Sequence, residues 1–168
     1  MQLNVVAYGY NPWSSMWKRT QTLVAHLAKQ DFVRETLFVN PRVDWSHLVT
    51  DRGSFAAGTP PRESLRFLRP ARAHPGVTAF TPVIGPWMYP GRPLHGIRSS
   101  WERSRIGSFL DHPYLFYANA VRYDDPLFWE CFEGAAARVF DWSDDFATFT
   151  DEPVGRRRLE EAIGRLVR

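Results

Sequence analysis

The chain has a single cysteine, Cys131, so no internal disulfide can form. Cys131 stands in an aromatic run with Phe128, Trp129 and Phe132, a setting that buries a thiol as core filler rather than exposing it as a nucleophile. Lysine is scarce too: only Lys18 and Lys29 occur among 21 basic residues, set against 18 acidic ones. The resulting net charge of +3 is mixed along the chain and makes no electrostatic case for nucleic-acid binding. No apolar stretch approaches the roughly 20 residues that a membrane-spanning helix needs. The first residues read as a strand and not as a secretory leader, so a cytoplasmic location is expected. A GxGxxG fingerprint is missing, which argues against a nicotinamide cofactor held by a glycine-rich turn. His26, His47, His74, His95 and His112 are scattered without an HxH or HExxH pattern, and no metal site is expected.

What is present suits one globular domain. A length of 168 residues with 44% hydrophobic content can bury a core without disulfide or metal support. Leu3 to Tyr8 is an apolar run closed by Gly9, as in a buried parallel strand. From Met16 to Gln30, apolar residues recur at helical spacing, with Ser14 or Ser15 as the expected cap. Glu35 to Asn40 reads as a second strand, completing a βαβ unit. Between residues 41 and about 95, prolines and glycines break the periodicity, and a loop-rich insertion is expected, with strands at Ser64 to Leu68 and Val77 to Thr81. Helix Ile97 to Asp111, strand Tyr114 to Tyr117, short helix Pro126 to Phe132, strand Arg138 to Trp142 and helix Arg156 to Arg168 follow. This order predicts an α/β fold, a Rossmann-like, mostly parallel sheet with helices on both faces.

Ligands of such sheets bind where the strands end at their carboxyl termini. After the first strand come Tyr10 and Trp13, then Trp17, Lys18 and Arg19 at the start of a helix, where the macrodipole disfavours cations. An anionic partner for Lys18 and Arg19 is one explanation; solvation on an ordinary helix surface is the other. Asn119 is a polar residue at the end of the YLFY strand. At the end of the RVFDW strand, Asp141, Asp144 and Asp145 lie within five residues. They could position sugar hydroxyls, supply a general base or, less readily for want of further ligands at ligand spacing, bind a metal; or they could cap and turn the chain into the next helix. Trp13, Trp87, Tyr89, Trp101 and Trp142 are candidates for a sugar-stacking platform, with core packing as the alternative.

The segments VVAYGYNPWSSMWKRTQTLVAHLAKQ, TLFVNPRVD and RVFDWSDDFATF, in this order, resemble the N-terminal domain of bacterial GT-B fold glycosyltransferases of the family 4 type. The resemblance covers Leu3 to Val43 and Arg138 to Phe149. It implies an acceptor-side half that requires a donor-binding domain or second subunit, with the nucleotide-sugar held mainly there as co-substrate. No other cofactor and no metal are implied. Asp141 and Asp145 are the implied catalytic residues, and Tyr10, Trp13, Trp17, Lys18, Arg19, Asn119 and Asp144 would bind substrate. The acceptor would be a carbohydrate or glycosylated lipid, placing the protein in the cytoplasm or at the inner face of the membrane through peripheral contact. The chain is expected to lack the donor-binding domain, to be catalytically incomplete alone and to self-associate through its uncovered face. A non-catalytic protein-interaction module of the same fold is the alternative.

Overall fold

Alternation along the first strand builds the molecule. In β1 (Leu3–Tyr8), Val6 and Tyr8 enter one apolar cluster while Val5 and Ala7 enter another. Successive side chains leave a strand on opposite faces, so a strand buried on both faces must lie between two packed layers. The computed structural model describes residues 2–11, 13, 18–44, 69–85, 88, 93, 95–141 and 153–166. Beyond β1 these contain α1 (Arg19–Leu27), β2 (Val33–Val39), β3 (Val43–Asp44), β4 (Ala71–His74), β5 (Val77–Phe80) and β6 (Val83–Ile84). They continue with α2 (His95–Leu110), β7 (Tyr114–Ala118), α3 (Pro126–Glu133), β8 (Ala137–Phe140) and α4 (Pro153–Leu166).

The main sheet has six strands in the order β4-β5-β2-β1-β7-β8. Every pairing in it is parallel except β4 with β5. One face packs Val24 and Ala25 of α1 against Val5, Ala7, Phe38 and Tyr117. The other packs Ile106 and Phe109 of α2, Leu127, Phe128 and Phe132 of α3 and Ala162 of α4 against Val6, Tyr8, Leu37 and Phe116. Fully burying a Val, Leu or Phe side chain contributes about 1.5–3 kcal/mol, so β1, β2 and β7 carry most of the hydrophobic stabilisation. At the edge, β8 leaves Ala137, Arg138 and Val139 exposed. The architecture is α/β, with a mixed but mostly parallel sheet. No helix among the described residues is long and apolar enough to cross a membrane.

Several boundaries differ from the sequence expectation for physical reasons. Helix α1 begins at Arg19, because the Lys18 backbone N–H donates to Oε1 of buried Gln21 at 3.0 Å, half of a capping box. Ser14 and Ser15 lie outside the described residues. Part of the stretch expected to be insertion belongs to the sheet: β4 and β5 form a hairpin around Pro75–Gly76, and β5 pairs with β2. Gly76 has φ +78°, and Pro followed by a positive-φ glycine suits a type II turn. The strand expected at Ser64 to Leu68 falls outside the described residues.

Candidate functional site at the carboxyl edge of the sheet

The chain leaves β1 at the centre of the sheet, runs through α1 and joins β2 on one side, whereas β7 lies on the other. The strand order therefore reverses between β1 and β7, the place where parallel sheets open a crevice beyond their carboxyl ends. Four polar residues stand at this edge: Asn40 after β2, Asn119 after β7, Asp141 after β8, and Arg19 at the start of α1.

Two asparagines clamp the loop after β1. Asn119 accepts from the Tyr10 backbone N–H at 2.9 Å and donates to Thr20 Oγ1 at 2.6 Å. Asn40 accepts from the Trp13 backbone N–H at 2.6 Å and donates to Thr81 Oγ1 at 2.8 Å. Both amides are buried and use both ends, which satisfies groups that would be costly to leave unpaired. Gly9 opens this loop because nothing larger fits: a Cβ there would stand 2.2 Å from Phe38 Cζ.

Asp141 joins elements distant in sequence. Its Oδ1 pairs with Arg19 Nη2 at 3.0 Å, and its Oδ2 accepts from the Tyr117 hydroxyl at 2.9 Å. Burial, followed by the bond to this carboxylate, raises the Tyr117 phenol above its ordinary value. Tyr117 is thus fixed as a donor. The Arg19 side chain is 67% exposed and that of Asp141 only 11%, so a largely solvated cation caps a mostly buried anion. The unfavourable position of Arg19 at a helix start thus has an intrachain explanation in Asp141.

Other sequence candidates take different places. Trp13 is buried, packed edge-to-face on Phe38 with centroids 5.0 Å apart, and so belongs to the core and not to a surface platform. Tyr10 is 60% exposed. Lys18 is exposed at the helix cap, and its backbone, not its ammonium, makes the capping contact. Trp17, Asp144 and Asp145 lie outside the described residues, as do Trp87, Tyr89 and Trp142.

Beside the loop, a pocket of about 520 Å³ is lined by Gly9, Tyr10, Asn11, Pro41, Arg42 and Arg122, among others. Arg122 donates to the Gly9 carbonyl at 2.9 Å and sits 5.1 Å over the Tyr8 ring. Arg42 pairs with Asp125 at 2.8 Å and with Asp124 at 3.4 Å. Behind them lie Arg98 and Glu102 of α2, essentially inaccessible and 3.8 Å apart. Burial, then the neighbouring Asp125, pushes the Glu102 carboxyl up to about 7. Burial pulls Arg98 and Arg122 down from their ordinary values, yet a guanidinium starts so high that it stays charged.

The chain matches no protein-family model, no curated protein and no solved structure.

Sequence reasoning passed over Asn40, Arg42, Tyr117 and Arg122. A usable signal existed for the two arginines: each stands a few residues past a strand's carboxyl end, where an α/β sheet collects its ligand-facing groups. Among the described residues no three His, Cys, Asp or Glu side chains are grouped to hold a metal ion.

Proposed function

We propose that this chain is the Rossmann-like, acceptor-side half of a GT-B type, nucleotide-sugar-dependent glycosyltransferase, transferring a sugar to a hydroxyl once a donor-binding domain faces it. The observation that carries the reading is the Arg19–Asp141 contact at 3.0 Å. The segments that resemble the family, at opposite ends of the chain, meet through it at the ligand-binding edge of a parallel sheet. Asp141 orients an acceptor hydroxyl, with Asp145 as the second carboxylate of the reading. Arg19, near the cleft, balances charge as the nucleotide leaves. Asn119 shapes the acceptor site indirectly, by holding the Tyr10 backbone. The acceptor is a carbohydrate or glycosylated lipid reached at the cytoplasmic face of the membrane.

The test is binding of the purified chain to an array of glycans and glycolipids, alongside calorimetric titration with nucleoside-diphosphate sugars. Carbohydrate binding that is lost in Asp141→Asn, together with no donor binding, is the expected pattern. Tight donor binding that disappears in Arg19→Ala sinks the half-enzyme reading, and a blank array sinks the acceptor role.

A second reading, a non-catalytic interaction module, draws on the edge strand β8, where Val139 is 43% exposed. Such an edge can accept a partner's strand. Stoichiometric capture of a partner chain that Val139→Lys abolishes, with the glycan array blank, is its signature.

A further inference from the structure

Arg98 and Glu102 stand one turn apart on α2, both essentially inaccessible. Nε of Arg98 lies 3.8 Å from Oε2 of Glu102, beyond hydrogen-bond reach. Among the described residues neither Glu102 oxygen has a hydrogen-bond partner, and Arg98 Nε is unmet as well. From Nη1 the same guanidinium donates to the Met88 carbonyl at 3.3 Å, a long bond. Arg98 thus stands between two acceptors and is fully engaged by neither. We propose that Arg98 is a proton-operated latch: protonation of Glu102 sends its guanidinium to the Met88 carbonyl, and ionisation of Glu102 draws it back.

A guanidinium is a rigid plane, so bonding Nε to Glu102 at about 3.2 Å or less displaces it by about 0.6 Å or more. Carried away from Met88 by that much, a contact already at 3.3 Å passes out of reach. The groups acting on Glu102 are Arg98 on its own helix, Asp125 at the cap of α3, Arg42 after β2 and Arg122 after β7. Asp125 opposes the carboxylate and the arginines favour it, but burial outweighs them and sets the carboxyl at about 7, so the exchange falls near neutral pH. Tyr8 of β1, beneath Arg122, keeps its phenol neutral. Two of the three arginines are committed elsewhere: Arg42 to Asp125 at 2.8 Å and to Asp124 at 3.4 Å, Arg122 to the Gly9 and Val39 carbonyls. Arg98, with one long bond, is left to follow the charge on Glu102.

The latch acts on a small sheet. Met88 closes the turn after β6, its N–H donating to the Gly85 carbonyl at 2.9 Å, and β6 pairs with β3. Where the chain enters this pair, Asn40 bonds Thr81 and the Val43 N–H bonds the Pro82 carbonyl at 2.9 Å, contacts without a titrating group. The Met88 contact ties the far end to α2. Raising the pH therefore loosens the far end of the small sheet while its near end stays fixed beside the pocket that Pro41 and Arg42 line.

This inference does not depend on glycosyl transfer. The experiment follows the full, isotope-labelled chain by NMR from about pH 5 to about 9, reading the Glu102 carboxyl carbon, the Arg98 Nε–H and the Met88 methyl and amide. The expected result is one midpoint near 7 shared by all three residues. Above it, the protection factor of the Met88 amide, which corrects for base-catalysed exchange, falls about fivefold. In Glu102→Gln the Arg98 and Met88 signals stay flat and the Met88 amide stays protected. Arg98 and Met88 signals that do not move in the parent, that move with a midpoint different from that of Glu102, or that still titrate in Glu102→Gln overturn the proposal. If Glu102→Gln does not fold, the coincidence of the three midpoints in the parent decides.

Discussion

Replacing Gly9 by alanine tests the packing that shapes the candidate site. The added Cβ would lie 2.2 Å from Phe38 Cζ, 2.9 Å from Cε1 and 3.0 Å from the Asn11 carbonyl oxygen. Carbon atoms pack best at about 3.5–4.0 Å, so the ring tip must retreat by more than 1 Å. It has little room: Phe38 is wholly buried and packs edge-to-face against Trp13. The Trp13 backbone is in turn bonded to Asn40. Overpacking of this kind costs about 1–3 kcal/mol. For a chain of this length each kcal/mol lowers Tm by about 2–4 °C, giving a fall of about 2–12 °C. Thermal denaturation followed by tryptophan fluorescence measures the loss. A second arm identifies its cause, because Phe38→Leu removes the ring tip and should make Gly9→Ala cheaper in that background. A Tm within about 1 °C of the parent, or equal costs in the two backgrounds, refutes the reasoning.

Asn119→Ala removes the acceptor for the Tyr10 N–H and the partner of Thr20; a loss of about 2 kcal/mol is expected, read as a lower urea midpoint at unchanged m. Glu102 supplies a pH test. Its folded carboxyl is raised from about 4.5 to about 7, by burial first and then Asp125, against the pull of Arg98, Arg42 and Arg122. The native state therefore holds the proton more tightly than the unfolded chain. This group's contribution to stability is fullest below about 4.5, is lost as pH rises through about 7, and is flat above that. Relative to Glu102→Gln, the parent should lose on the order of 3 kcal/mol between those limits; parallel pH profiles of the two proteins would contradict this. Cys131 is buried with its thiol pushed up to about 12. It should resist a disulfide reagent in the native chain and react at once in denaturant, and rapid native labelling would show that the α3 layer opens.

Much of the frame was readable because hydrophobic runs bounded by breakers carry their own evidence. Leu3–Tyr8 was found to the residue, since a doubly buried strand is apolar throughout and ends at Gly9. Helix α3 was nearly as clear: the expected Pro126 to Phe132 stops one residue short of its end at Glu133, and the structure adds the Asp125 cap ahead of the first-turn proline. The start of α1 was not, because Gln21 caps the Lys18 N–H without a Ser or Thr at the cap and looks like any polar helix residue. Strand β4 was also missed: Ala71–His74 is a partly covered edge with neither an apolar run nor a clear alternation. At the site, Asp141 and Arg19 were visible as unusual residues at element ends, but their pairing was not, since it spans most of the chain. Trp13 suggested a stacking surface and lies in the core instead, where Phe38 meets it edge-on. Arg42 and Arg122 were hidden among many arginines; only the strand order brings the ends of β2 and β7 around one loop.

The two asparagine clamps make distant positions heritable as a unit. Asn40 and Asn119 sit on opposite sides of β1, yet both hold the loop after it, each accepting from a loop N–H, of Trp13 or Tyr10, and donating to a threonine hydroxyl. Aspartate at either position keeps the shape but replaces the donor with another acceptor. A chain that has lost one clamp leans on the other, so a second change there costs more than it would alone. Sequence drift at this edge should therefore proceed by coordinated replacement, with Asn40, Thr81, Asn119 and Thr20 changing together or not at all.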